Sequence, residues 1–127
     1  MRPLTLLASV VRGDGLGRKL GFPTANLKVP PGRIPPFGVY RVAVRGRALG
    51  GEWPGVCSVG VRPTIAGARG VRVEVHIPGF SGTLYGRRLE VDFLERLRGE
   101  RKFATLAALK SQIRKDIRRA GRVPNRS

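Results

Sequence analysis

Acid, histidine and cysteine are all scarce in this chain. Of its 127 residues only 8 are Asp or Glu, against 25 Lys and Arg, and there is one histidine and one cysteine. A lone Cys57 excludes an intrachain disulfide and fits a reducing compartment. His76, without a second histidine or a thiolate cluster, excludes a His/Cys metal site and reads as structural. Aromatic residues are 6% of the chain, and none falls in the basic C-terminal segment, where RNA-binding surfaces interleave rings with cations to stack bases. Long apolar runs are missing too. Leu4 to Val11 is the only one near the N-terminus; it is too short to span a bilayer, and the Arg-Gly-Asp-Gly that follows is not a small-residue cleavage site. A cytoplasmic protein with no membrane association is the expectation.

What is present is one domain's worth of chain, 41% hydrophobic, enough to build a core without metals or disulfides. The net charge of +17 has two readings. One is attraction to a polyanion, either nucleic acid or a nucleotide. The other is a solvated basic surface with no dedicated partner, and a GC-rich genome would favour arginine by codon usage alone.

Gly and Pro, at 18 and 10, punctuate the first hundred residues and mark short strands joined by turns. Leu4–Arg12 reads as a first strand and Val56–Val61 as a short buried one. Gly38–Arg45 alternates, with Tyr40, Val42 and Val44 on one face and Arg41 and Arg45 on the other. Val71, Val73, Val75 and Ile77 alternate with Arg72, Glu74 and His76, and Leu89, Val91 and Phe93 repeat the pattern. The period then changes. Leu106, Leu109, Ile113 and Ile117 form one stripe of an amphipathic helix, with Thr105 as N-cap and Gly121 and Pro124 at its end. Lys110, Arg114, Lys115, Arg118 and Arg119 cover its outward side. The chain is therefore expected to be mainly β: a small closed barrel over about 4–95, a helix over about 105–120 laid across its outside or one mouth, and a tail over 121–127.

Four segments could carry chemistry. Gly13, Gly15 and Gly17 space out a turn backed by Arg18 and Lys19, which can offer backbone N–H groups and point charge to phosphate. It is neither a Walker loop nor a dinucleotide fingerprint. In Phe22-Pro23-Thr24-Ala25-Asn26 the proline stiffens the backbone. Positions two apart in an extended segment point the same way, so Thr24 and Asn26 could put two oxygens on a hard cation such as magnesium; an Asn-ended turn with a capping threonine is the alternative. Glu74 is the one acid on its strand's polar face, either a base for a substrate hydroxyl or a salt-bridge partner of Arg72. Arg98 to Phe103 combines three cations with a ring, enough to stack on a planar heterocycle, or else a solvated connector with Phe103 tucked under the helix.

Taken together and in order, these segments resemble the riboflavin kinase (flavokinase) family of bacterial and eukaryotic type. The resemblance runs from about Val10 to Ala120. It is carried by Gly17-Arg-Lys-Leu-Gly-Phe-Pro-Thr-Ala-Asn26, Gly38-Val-Tyr40, Gly60-Val-Arg-Pro-Thr64, Val73-Glu-Val-His76, Leu84-Tyr-Gly86, Leu97-Arg-Gly-Glu-Arg-Lys-Phe103, and Gln112-Ile113 with Asp116. It implies a six-stranded Greek-key β-barrel with a C-terminal α-helix. It also implies transfer of the γ-phosphate of ATP to the 5′-hydroxyl of riboflavin, giving FMN and ADP, with Mg2+ required. On this resemblance Thr24 and Asn26 are magnesium and phosphate ligands and Glu74 the general base. Gly13, Arg18, Ile77 and Tyr85 match nucleotide-contacting positions; Arg98, Arg101 and Phe103 match positions around the flavin.

The chain departs from the family in having Ser58-Val59-Gly60 where Asn-Ile-Gly is common, and Val61 in place of Thr. Many bacterial members also carry an adenylyltransferase domain ahead of the kinase, so a chain complete at this length is expected to stop at FMN, and to act as a monomer on small-molecule substrates. The alternative from another class is a basic β-barrel that binds RNA through the helix face from Lys110 to Arg119.

Overall fold

The computed structural model describes residues 4–13, 21–63 and 69–121. Alternating apolar residues build six strands: β1 (Leu4–Val11), β2 (Ala25–Lys28), β3 (Gly38–Gly46), β4 (Gly51–Pro63), β5 (Arg69–His76) and β6 (Arg88–Arg98). Single 3₁₀ turns at Pro31–Arg33 and Arg47–Leu49 lead into β3 and β4, and one helix, α1 (Leu106–Ala120), follows the last strand. The strands close in the order β1-β2-β5-β4-β3-β6, and every pairing is antiparallel. β3, β4 and β5 run consecutively and β6 returns beside β3, which is the Greek-key order. Closure leaves no sheet edge to manage.

The interior is made by one face of each strand. Leu6, Ala8 and Val10 of β1, Tyr40, Val42 and Val44 of β3, Val73 and Val75 of β5, and Leu89, Val91 and Phe93 of β6 are all buried in one cluster. Each such aliphatic or aromatic side chain removed from water contributes about 1.5–3 kcal/mol. Tyr40 reaches out of this core by donating its hydroxyl to the Pro36 carbonyl at 2.6 Å, while its ring meets Phe93 edge-on, centroids 5.0 Å apart. Burial pushes the Tyr40 phenol up from its ordinary pKa. Cys57 is fully buried in the same cluster. Desolvation and then the charge of Glu74 raise its thiol far above the usual range, which makes it inert.

A second, smaller cluster of Val39, Val56, Leu97 and Ala120, with Ile117 against it, glues α1 to the outer surface of the barrel. This explains why β3 carries a buried apolar residue on its outer face at Val39; Ala43, on the same face, is equally buried. The helix therefore lies on the outside rather than plugging a mouth. Its stripe is less buried than the periodicity predicts. Leu106 is 63% exposed, and the fully buried positions are Asp116 and Ala120. The reason is that Leu109 and Ile113 line a cavity between helix and barrel instead of packing into the core.

Three other strand expectations shift. Val71, expected inward, is 40% exposed because it lies toward the far end of the β4–β5 ladder, opposite Val61. β4 begins at Gly51 and β6 continues to Arg98, both beyond the runs that the alternation marked. Register shifts between Val39 and Tyr40 and between Arg41 and Val42 locally break the β3–β6 ladder, and such irregularities bend a strand. The β6 end carries Arg98 to the helix, where Arg98 pairs with Asp116.

The scarce acids are concentrated on arginines. Arg45 on β3 meets Asp92 at 2.6 Å, Glu90 at 3.1 Å and Glu52 at 3.5 Å, and Asp92 also accepts from the Thr5 hydroxyl at 2.7 Å. Donating hydrogen bonds to Asp92 and then Glu90 raises the guanidinium pKa further. At the other end of the chain, Thr105 Oγ1 accepts from the Ala108 amide at 3.1 Å and caps α1. Thr105→Ala is expected to lower stability by about 1 kcal/mol, read as a drop in the thermal unfolding midpoint, whereas Thr105→Ser should restore it.

Candidate functional site

The site grows out of one rung of the barrel. Asn26 on β2 stands opposite Glu74 on β5, and Glu74 stands opposite Ser58 on β4. Directly opposite residues share a face, so an amide, a carboxylate and a hydroxyl come together on the outer side of three strands. Thr24, just before β2, donates its hydroxyl to Glu74 Oε2 at 3.1 Å. The other carboxylate oxygen, Oε1, pairs with Arg72 Nε at 2.9 Å. The salt-bridge reading of Glu74 thus holds geometrically, and the same carboxylate sits on the threonine of the Pro-Thr-Ala-Asn segment. Its side chain is only 14% exposed.

Two cavities meet here, and Thr24 lines both. The larger, about 760 Å³, lies among the end of β1, the start of β2 and the loop from Ile77 to Tyr85. Gly13, Asn26, Ile77 and Tyr85, four of the positions expected to contact nucleotide, come together in it. Arg18, with its neighbours Gly15, Gly17 and Lys19, lies outside the described residues. The sequence reading missed Arg12, whose guanidinium stands 5.2 Å over the Tyr85 ring in this cavity; the one signal for it was a cation adjoining Gly13. A Cβ added to Gly13 would fall onto the Asn26 side chain. Gly13→Ala is therefore expected to displace Asn26 and to raise the KM for a nucleotide in this cavity roughly 10- to 100-fold, measured by steady-state kinetics with the unfolding midpoint unchanged.

The smaller cavity, about 350 Å³, opens between β4, β5, the segment after β6 and the helix. Glu74, Arg98, Arg101 and Phe103 line it, so the residues expected around the flavin and the candidate base share one wall system. The Arg98 guanidinium grips Asp116, Nε lying 3.2 Å from each carboxylate oxygen and Nη2 2.9 Å from Oδ2. Gln112 donates to Asp116 at 3.0 Å and accepts from Arg101 at 3.2 Å. Arg98 and Arg101 both lie against the Phe103 ring, 5.7 and 5.5 Å from its centroid. Val39, Val56, Leu109 and Ile113 add apolar surface. An apolar slot with a ring and cations at its rim suits a planar, polar-edged heterocycle. The helix residues here were missed, because an amphipathic stripe looks the same whether it faces a core or a ligand.

Thr24 and Asn26 present neutral oxygens next to the larger cavity. The Thr24 hydroxyl, already donating to Glu74, keeps its lone pairs available to a cation. Among the described residues no group of three or more His, Cys, Asp or Glu side chains could hold a metal ion. A hard cation at Thr24 and Asn26 would thus draw its anionic ligands from a bound phosphate, which is how magnesium is commonly held. The residues present fit such an ion.

The riboflavin kinase family model, named Flavokinase, matches residues 1–123. A bifunctional riboflavin kinase/FMN adenylyltransferase from Pseudomonas fluorescens is 47% identical over 116 residues, covering 91% of this chain and 37% of that protein. One of the same description from Bacillus subtilis is 37% identical over 122 residues, covering 94% and 38%. The chain thus spans little more than a third of the length of these curated relatives. Among solved structures, one described as a macrolide-efflux protein from Streptococcus pneumoniae superposes with a TM-score of 0.82 at 34% identity, covering 95% of this chain and 39% of that one. The riboflavin kinase from Trypanosoma brucei has the same fold, with a TM-score of 0.66 at 24% identity, covering 94% and 78%.

Proposed function

This chain belongs to the riboflavin kinase family, and from that membership we propose that it transfers the γ-phosphoryl group of ATP to the 5′-hydroxyl of riboflavin, giving FMN and ADP. The observation that carries the reading is the Thr24–Glu74 hydrogen bond at the junction of the two cavities. ATP occupies the larger cavity, with Gly13, Asn26, Ile77 and Tyr85 around it and Arg12 and Arg18 adding positive charge. Riboflavin occupies the smaller one, its ring system against Phe103, Leu109 and Ile113, with Arg98 and Arg101 at the edge. The ribityl chain then points its terminal hydroxyl toward Glu74.

Phosphoryl transfer through a loose transition state asks for alignment and charge neutralisation more than for covalent chemistry. Thr24 and Asn26 are the residues that would hold magnesium, which supplies positive charge to the phosphates when bound. Because both ligands are neutral, they leave that charge undiminished. Glu74 takes the proton from the attacking hydroxyl. Arg72 holds one carboxylate oxygen, Oε1, while Oε2 is the one directed at Thr24. On this reading the protein acts as a monomer on small-molecule substrates in the cytoplasm, where a lone cysteine stays reduced.

Incubation with riboflavin, ATP and magnesium, followed by chromatography, tests the assignment. FMN should accumulate, and EDTA should stop it. Absence of FMN, together with a salt-sensitive shift of RNA by the same protein, would replace this reading with the basic RNA-binding barrel.

A further inference from the structure

Thr24 stands where both cavities meet, yet it lies one residue outside the ladder that fixes β2. The β2–β5 pairing begins at Ala25 opposite Val75 and continues at Asn26 opposite Glu74. Ahead of Thr24 come Pro23, Phe22 and Gly21, the last with φ at +90°, a conformation that offers no rigidity of its own. The tie among the described residues is His76. Its Nδ1 lies 2.7 Å from the Pro23 carbonyl oxygen, and its ring receives Phe22 edge-on, centroids 5.9 Å apart at 87°.

We propose that His76 is a positioning residue for Thr24, acting through the Pro23 carbonyl. Proline has its φ locked by the ring, so the remaining soft angle of Pro23 is ψ, which swings the carbonyl and the whole planar peptide leading into Thr24. A donor fixed on that carbonyl sets ψ, and with it the direction in which Thr24 leaves the turn. A carbonyl can only accept, so the Nδ1 of His76 carries the proton, and in the neutral ring Nε2 is the bare nitrogen. His76 is two residues from Glu74 on β5 and therefore on the same face. One strand face thus holds the base directly and the hydroxyl that touches it through a neighbouring turn. The lone histidine, unsuited to a metal cluster, acts here as a hydrogen-bond post. The functional weight of this inference rests on the reading of Thr24 as a magnesium and phosphate ligand.

The test compares His76→Asn, His76→Gln and His76→Ala. Asparagine can place an amide N–H near the position of Nδ1; glutamine carries its amide farther out, nearer Nε2. In the wild-type protein without ligands, long-range nitrogen–proton NMR should show Nδ1 protonated and Nε2 bare. The Thr24 amide and methyl signals should move in the glutamine and alanine variants and stay in place in the asparagine variant. In the FMN assay, the magnesium concentration for half-maximal rate should rise by about 10-fold or more in the glutamine and alanine variants, as for other residues that orient metal ligands. It should stay within about 2-fold in the asparagine variant, and kcat at saturating magnesium should change little in any of them. Equal impairment of the asparagine and alanine variants, a protonated Nε2 with bare Nδ1, or a loss confined to kcat would overturn the proposal. Absence of FMN from the wild-type protein would sink the functional reading alone, because the Thr24 signals still decide the role of His76. Should the alanine variant not fold, the asparagine–glutamine contrast decides it.

Discussion

Glu74→Gln should lower kcat for FMN formation by about 10²–10⁴-fold, the usual contribution of a positioned general base. The substitution keeps the shape of the side chain and an oxygen able to accept from Thr24. It removes the negative charge that pairs with Arg72 and the capacity to take the proton of the attacking hydroxyl. Substrate contacts made elsewhere are untouched, so KM for ATP and riboflavin should change by no more than about 3-fold, the pattern of an interaction used in the transition state alone. Full activity in this variant would mean that Glu74 is a strand salt bridge and nothing more. A large rise in both KM values with kcat preserved would mean that its role is to shape the cavities.

Asp116→Ala should carry the largest stability effect. Asp116 is 2% exposed and receives three donors, two on Arg98 and one on Gln112. Removing one partner of a buried pair strands the other, typically at about 3–5 kcal/mol. The Arg98 side chain is 19% exposed, so water softens the loss, and about 2–3 kcal/mol is the expectation. A protein of this size should then unfold roughly 10 °C lower. The same change frees Arg98 and, through Gln112, Arg101 from the positions in which they flank Phe103. The KM for riboflavin should rise by about 10-fold while the KM for ATP stays near its wild-type value. Asp116→Asn, which keeps acceptors without the charge, should fall between. An unfolding midpoint unchanged in Asp116→Ala would show that the pair adds nothing net, and an equal rise in both KM values would detach the network from the flavin side.

Much of the barrel is legible because single-faced strands announce themselves. Val73 and Val75 alternate with Glu74 and His76 because one side is core and the other solvent or site. β3 is harder: Val39 and Ala43 are buried by partners that local alternation does not include, Val39 by the helix that follows about seventy residues later. β2 has four residues, too few for a period, and was visible only as a proline-stiffened segment with two oxygens. The proximity of Thr24 to Glu74 spans 50 positions in the chain; no spacing rule connects them, and the order of motifs did. Asp116 was named in the resemblance, but its burial was hidden for another reason. An acid among Lys115, Arg118 and Arg119 reads as part of a solvated charged face, and only the fold reveals that it points inward to Arg98. The abundance of cations has a simpler account. Most of the described acids pair with particular arginines, such as Arg45, Arg72 and Arg98, and 8 acids are too few to meet 25 Lys and Arg.

In the proposed reaction a phosphoryl group crosses from the larger cavity to the smaller past Thr24 and Glu74. The direct measurement is transfer of label from ATP to riboflavin, with the label on the γ-phosphorus in one reaction and on the α-phosphorus in another. Radioactive FMN is expected from the γ-labelled nucleotide and none from the α-labelled one, with the transfer lost in Glu74→Gln. Label arriving from the α-position, or γ-label released as inorganic phosphate with riboflavin unchanged, would contradict it.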